Sequence, residues 1–124
     1  LRHIAQMWVN PDAAPLLTRL REKDLKIALV TNTVGPLAAR ILETAKLSGF
    51  FDSLATSDRV ANAKPSPELP LLALKELGVA AAEACMVGDS RYDREAAGSA
   101  GVRFVGLGID GDVRLEKLGD FKEA

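Results

Sequence analysis

The sequence is poor in cysteine and aromatic residues, and neither sign of charge dominates. A single cysteine, Cys85, excludes an intrachain disulfide, and its place inside an apolar run argues for an inert buried thiol in a reducing cytoplasm. Aromatic residues make up 5% of the chain, so alanine, leucine, valine and isoleucine must fill the core. Sixteen Lys and Arg stand against seventeen Asp and Glu, without a run of like charge. That balance excludes nucleic-acid binding through a basic face. No apolar stretch approaches the roughly 18 residues of a membrane span; the longest, residues 69–74, contains Pro70. No membrane partner is expected, and residues 1–10 lack a signal-peptide pattern. The first residue is leucine, not methionine, which suggests a piece of a longer protein.

What is present is an alternation of helical and extended patterns over 124 residues, about one domain. Asn10-Pro11 has the form of a helix start, and Leu16, Leu17 and Leu20 place one apolar face on a helix reaching to about Lys23. Residues 26–31 are a short, continuous apolar run, as in a strand buried on both faces. Helices are predicted from Gly35 to about Gly49, from Ser66 to Gly78, and over residues 92–100; strands over 50–56, 84–88 and 102–105. Residues 112–124 suggest a short helix with a frayed end. The order predicts an α/β fold with a parallel sheet flanked by helices. Ligands of such sheets lie beyond the carboxyl ends of the strands.

Those ends carry the interesting polar groups. Thr31 and Asn32 follow one strand, Lys64 stands in the loop after the next, and Asp89, Ser90 and Asp93 follow the third. Hydroxyls and an ammonium suit phosphoryl oxygens, whereas paired carboxylates suit a Mg²⁺ shared with substrate phosphate. Each residue alone has a plainer explanation. Thr31 and Asn32 could end a strand, Lys64 could be a loop lysine, and the aspartates could cap a helix. Gly106-Leu-Gly108-Ile-Asp-Gly111 matches a dinucleotide-binding pattern, but too little chain follows to complete that motif, so a turn is expected. His3 has no metal-binding companions.

Val30-Thr31-Asn32, Ala63-Lys64-Pro65-Ser66-Pro67-Glu68 and Val87-Gly88-Asp89-Ser90-Arg91-Tyr92-Asp93, in that order, resemble the second, third and fourth motifs of the haloacid-dehalogenase-like (HAD) phosphohydrolases. The similarity extends from about Asn10 to Gly108 and has the flavour of the phosphoglycolate-phosphatase branch. It implies a Rossmann-like core and a Mg²⁺-dependent phosphatase acting on a small phosphomonoester through a phosphoaspartate. It also implies roles: Thr31, Lys64 and Asp89 catalytic; Thr31, Asn32 and Lys64 substrate-binding; Asp89 and Asp93 at the metal.

One part of the pattern is missing. The family's nucleophile and acid/base lie in an Asp-x-Asp-x-Thr segment on the central strand, and nothing upstream of Thr31 matches it. Asp110-Gly-Asp112 is the one Asp-x-Asp, but it stands near the carboxyl terminus with Arg114 where Thr or Val belongs. The expected organisation is therefore residues 1–9 as the tail of a cap or its linker and residues 10–124 as an incomplete HAD-like core. Both the cap and the nucleophile strand would be lacking. The strands ending at Thr31 and Gly88 would then flank a gap, to be filled by a missing N-terminal segment or by a second copy. The chain alone is expected to be inactive. The alternative is a non-catalytic phosphate-binding or assembly module on a degenerate HAD fold.

Overall fold

The computed structural model describes residues 2–5 and 13–121. Six strands form one sheet: β1 (Arg2–Ala5), β2 (Ile27–Val30), β3 (Ser53–Ala55), β4 (Ala84–Gly88), β5 (Arg103–Leu107) and β6 (Val113–Leu115). Their spatial order is β3-β2-β1-β4-β5-β6, and every pair is parallel. Four ten-residue helices accompany them: α1 (Ala13–Glu22), α2 (Gly35–Thr44), α3 (Glu68–Leu77) and α4 (Arg91–Ala100).

The period-2 alternation of the strands explains how short apolar runs build two cores. In β2, Ile27 and Leu29 join α1 residues Leu16, Leu17 and Leu20 and α2 residue Leu42 on one face. Ala28 and Val30 join Leu69, Ala73 and Leu77 of α3 on the other. In β4, Cys85 and Val87 turn to the first core while Ala84 and Met86 turn to the second. Both faces are thus covered, as parallel sheets require, and few aromatics are needed. Cys85 is buried, and burial pushes its thiol up to about 12, which disfavours the reactive thiolate.

The N-terminus corrects one expectation. The gap foreseen between the strands ending at Thr31 and Gly88 is filled by the chain itself: His3, Ile4 and Ala5 pair with Ile27, Ala28 and Leu29 on one side and with Cys85, Met86 and Val87 on the other. Residues 2–5, assigned from sequence to a cap tail or linker, form the central strand. Their composition gives little strand signal; the two flanking strands supply it, because each would otherwise bury an unpaired row of backbone donors and acceptors. The helix start at Asn10-Pro11 lies outside the described residues, and α1 is observed from Ala13.

Near the carboxyl terminus the predicted short helix is instead β6 followed by a 3₁₀ turn over Leu118–Asp120. Asp112 accounts for this. Its N–H donates to the Phe104 carbonyl at 2.9 Å and its carboxylate accepts the Phe104 N–H at 2.8 Å, which turns the chain back beside β5. The glycine pattern here serves the turn, as expected. A Cβ on Gly106 would run into the Ile109 carbonyl oxygen, and Gly108 has a positive φ. Asp110 pairs with Arg114, so neither aspartate of Asp110-Gly-Asp112 behaves as a displaced nucleophile motif.

A polar clamp holds α3 to β3. Glu76 accepts from the Ser53 hydroxyl at 2.6 Å and from both terminal guanidinium nitrogens of Arg59, which also donates to the Leu54 carbonyl at 2.7 Å. The Arg59 bonds, reinforced by Ser53, lower the Glu76 carboxyl from 4.5 to about 2.

Two outcomes follow from this packing. Gly106→Ala should destabilise the chain by about 1–3 kcal/mol, because overlap with a main-chain oxygen cannot be relieved by a rotamer change; an unchanged thermal midpoint would contradict the turn described. A depressed carboxyl stabilises the fold above its unfolded pKa and loses that contribution as pH falls through the folded one. The difference in urea midpoint between wild type and Glu76→Gln should therefore be constant above about pH 5 and shrink between 4.5 and about 2. A difference independent of pH would refute the clamp.

Candidate active site

The sheet's connections reverse between β1 and β4. From β1 the chain winds outward through β2 to β3, then crosses back to β4 and winds outward the other way. At such a switch point the loops beyond neighbouring strands part and leave a crevice. Lys64 and Asp93, both singled out from sequence, meet there.

Lys64 is at the centre. Its side chain is 3% exposed and its Nζ donates to Asp93 Oδ1 at 2.5 Å and to the Val30 carbonyl at 3.2 Å. Burial pushes the ammonium below the ordinary lysine value, against the opposing pull of Asp93 and, more weakly, Asp89. Asp93 lies in the first turn of α4, where the positive end of the helix favours a carboxylate. Its Oδ2 accepts from the Ser90 N–H at 3.3 Å and hydroxyl at 2.9 Å, while its own N–H donates back to Ser90 Oγ at 3.2 Å. This reciprocal cap requires the chain to fold close upon itself, and a Cβ on Gly88 would stand 2.6 Å from Asp93. The Gly-Asp-Ser-x-x-Asp spacing thus has a local cause as well as a chemical one.

Thr31 is fully buried at the end of β2; its N–H donates to Ala55 and its hydroxyl oxygen accepts from the Thr33 N–H at 3.1 Å, which leaves the hydroxyl proton to donate. Asn32, expected among the substrate-binding groups, holds the main chain of Lys64: its Nδ2 donates to the Lys64 carbonyl at 3.1 Å and its Oδ1 accepts the Lys64 N–H at 2.9 Å. The Lys64-Pro65 peptide is cis. Asp58 was not anticipated from sequence. It accepts the Gly35 N–H at 2.8 Å and caps α2, whose preceding Val34 has no capping side chain; bonds from the Thr56 hydroxyl and Gly35 hold its carboxyl below the usual range.

The donor set suits a divalent cation in part. Asp89 is exposed, whereas both Asp93 oxygens already accept hydrogen bonds. Among the described residues no group of three or more His, Cys, Asp or Glu is gathered as for a metal. One carboxylate completed by phosphate oxygens and water is nevertheless an ordinary arrangement for Mg²⁺. One ammonium against two carboxylates leaves the cluster net negative, so an anion gains from a cation arriving with it.

Comparison with known proteins agrees with this geometry. The family model of haloacid dehalogenase-like hydrolases matches residues 3–107. The chain is 39% identical over 100 residues to phosphoglycolate phosphatase of Escherichia coli K12, covering 81% of this chain and 40% of that enzyme's length. A HAD-superfamily hydrolase of subfamily IA from Geobacter sulfurreducens superimposes with a TM-score of 0.82 at 30% identity, over 90% of this chain and 53% of that one. CbbY from Rhodobacter sphaeroides, solved with xylulose-(1,5)-bisphosphate, gives 0.81 at 27% identity, over 90% and 55%. With its motifs in order, its parallel sheet and its match over residues 3–107, the chain belongs to the haloacid dehalogenase-like hydrolase family.

Proposed function

We propose that this chain is the carboxyl-terminal part of the core of a Mg²⁺-dependent phosphatase that hydrolyses a small phosphomonoester. The observation that carries the proposal is the buried Lys64–Asp93 contact, whose ammonium also donates to Val30, next to Thr31, and feels the charge of Asp89. Support for the substrate class comes from the relatives: one is named for phosphoglycolate, and another was solved with a sugar bisphosphate. The match spans 40% of the length of the first, which supports reading the chain as one part of a longer protein. A buried single thiol and the absence, among the described residues, of a helix able to cross a membrane are compatible with the cytoplasm.

In this reading the Thr31 hydroxyl donates to a phosphoryl oxygen. Lys64 sets a positive charge against the same group, which gains strength because the surroundings are dry. Asp93 does not meet the substrate; it keeps Lys64 charged and in place. Asp89 would hold Mg²⁺, which when bound offsets the charge of the phosphoryl oxygens. Asp93 would support that site without ligating directly.

Phosphoaspartate chemistry requires a carboxylate at the end of the central strand. In this chain that strand is β1, and Arg2–Ala5 contains none. This favours, for the chain by itself, the second reading of a phosphate site without chemistry. The purified chain should not turn over p-nitrophenyl phosphate with Mg²⁺ above the level of a Lys64→Ala control. Turnover clearly above that control would contradict the incomplete site. Calorimetric titration with Mg²⁺ should show no site tighter than about millimolar. A micromolar site abolished by Asp89→Asn would show that the carboxylate set is complete as it stands.

A further inference from the structure

Asn32 stands at the edge of the site yet presents its amide to the protein. Both of its hydrogen bonds go to one residue 32 positions away, its donor to the Lys64 carbonyl at 3.1 Å and its acceptor to the Lys64 N–H at 2.9 Å. Two antiparallel bonds from one planar amide to one residue's main chain fix position and orientation together, much as a pair of strand residues does. The other end of the same lysine returns to the same stretch of chain, since Nζ donates to the carbonyl of Val30, two residues before Asn32. Lys64 is therefore bracketed by the end of β2, main chain at Asn32 and ammonium at Val30. Its four-carbon stem runs between them to Asp93. The loop that does the holding is itself tied, by the Thr33 N–H to Thr31 Oγ1 and by the Ser57 N–H to the Thr33 carbonyl.

We propose that Asn32 is a positioning residue that seats the Lys64 ammonium by gripping the Lys64 main chain from both sides, and that it is not a substrate ligand. A lysine side chain has much rotamer entropy to lose, so an ion pair at its tip does not by itself fix where its root lies. The grip restricts the root and lets the tip reach Asp93 and the phosphoryl position at once. Its importance for phosphoryl transfer rests on the phosphatase reading above; the grip itself does not.

Competitive acylation of the native chain with acetic anhydride, followed by peptide mass mapping, tests this without substrate. Exposed Lys75 serves as the internal standard, and the buried thiol of Cys85, labelled with a maleimide in parallel, reports global opening. In wild type Lys64 should be strongly protected. Asn32→Ala should raise Lys64 labelling relative to Lys75 roughly tenfold, a sub-global opening, while Cys85 labelling stays at the wild-type rate. Lys64 labelling that does not change would overturn the proposal. A parallel rise at Lys64 and Cys85 would also overturn it, by showing that Asn32 only supports overall stability. Should the alanine variant not fold, Asn32→Asp keeps the acceptor for the Lys64 N–H and loses the donor. The same comparison then applies, with an increase smaller than tenfold expected and no increase contradictory. Because labelling needs no activity, its failure would leave the phosphatase reading standing on its own assay.

Discussion

The Lys64–Asp93 pair is the interaction on which the arrangement of the site depends. Both side chains are almost completely withdrawn from water, at 3% and 1% exposure, and an isolated charge at either position would be costly. Pairing alone does not offset that cost; the remaining bonds do. Val30 contributes a carbonyl to the ammonium, and Ser90 contributes an N–H and a hydroxyl to the carboxylate. These partners come from the end of β2, the loop before α3 and the first turn of α4. Three connections separate in sequence are thereby held at one point, and the strand ends cannot drift without exposing or stranding a charge. Gly88 belongs to the same constraint, since any larger residue would occupy the space Asp93 needs.

The central strand shows a different kind of necessity. A parallel sheet whose order reverses at β1 and β4 has to be continuous there, because both flanking strands are buried on their faces and have no solvent for their backbone groups. Arg2–Ala5 satisfies the hydrogen bonds of β2 and β4 but brings no carboxylate to the crevice. Structural completion and chemical completion are therefore separable in this fold. The central strand is thus supplied by residues whose composition carries none of the acidic groups that stand at the neighbouring strand end, Asp89 and Asp93.

Much of this was legible in the sequence, for identifiable reasons. The apolar runs at Ile27–Val30 and Ala84–Gly88 report burial on two faces and cannot be mistaken for amphipathic helices of that length. Gly78 and Gly101 end α3 and α4 in the left-handed conformation that their positions suggest. The contact of Lys64 with Asp93 agrees with the rule for strand ends. Other features depend on long-range partners that no local pattern announces. β1 has too few residues for a periodicity, and β6 is directed by the Asp112–Phe104 bonds. The role of Asn32 is fixed by a residue 32 positions away. Asp58 was hidden for the same reason, being a helix cap contributed by a distant turn.

A double-mutant cycle on the buried pair, read by urea denaturation at neutral pH, tests this account most directly. Lys64→Met strands the carboxylate of Asp93, and Asp93→Asn strands the ammonium of Lys64, so each single change should cost about 3–5 kcal/mol. The double variant, with no buried charge left, should cost clearly less than the sum, with a coupling of about 1–3 kcal/mol. Strictly additive losses, or single losses below about 1 kcal/mol, would show that the two side chains do not depend on each other and that something other than this pair holds the three connections together.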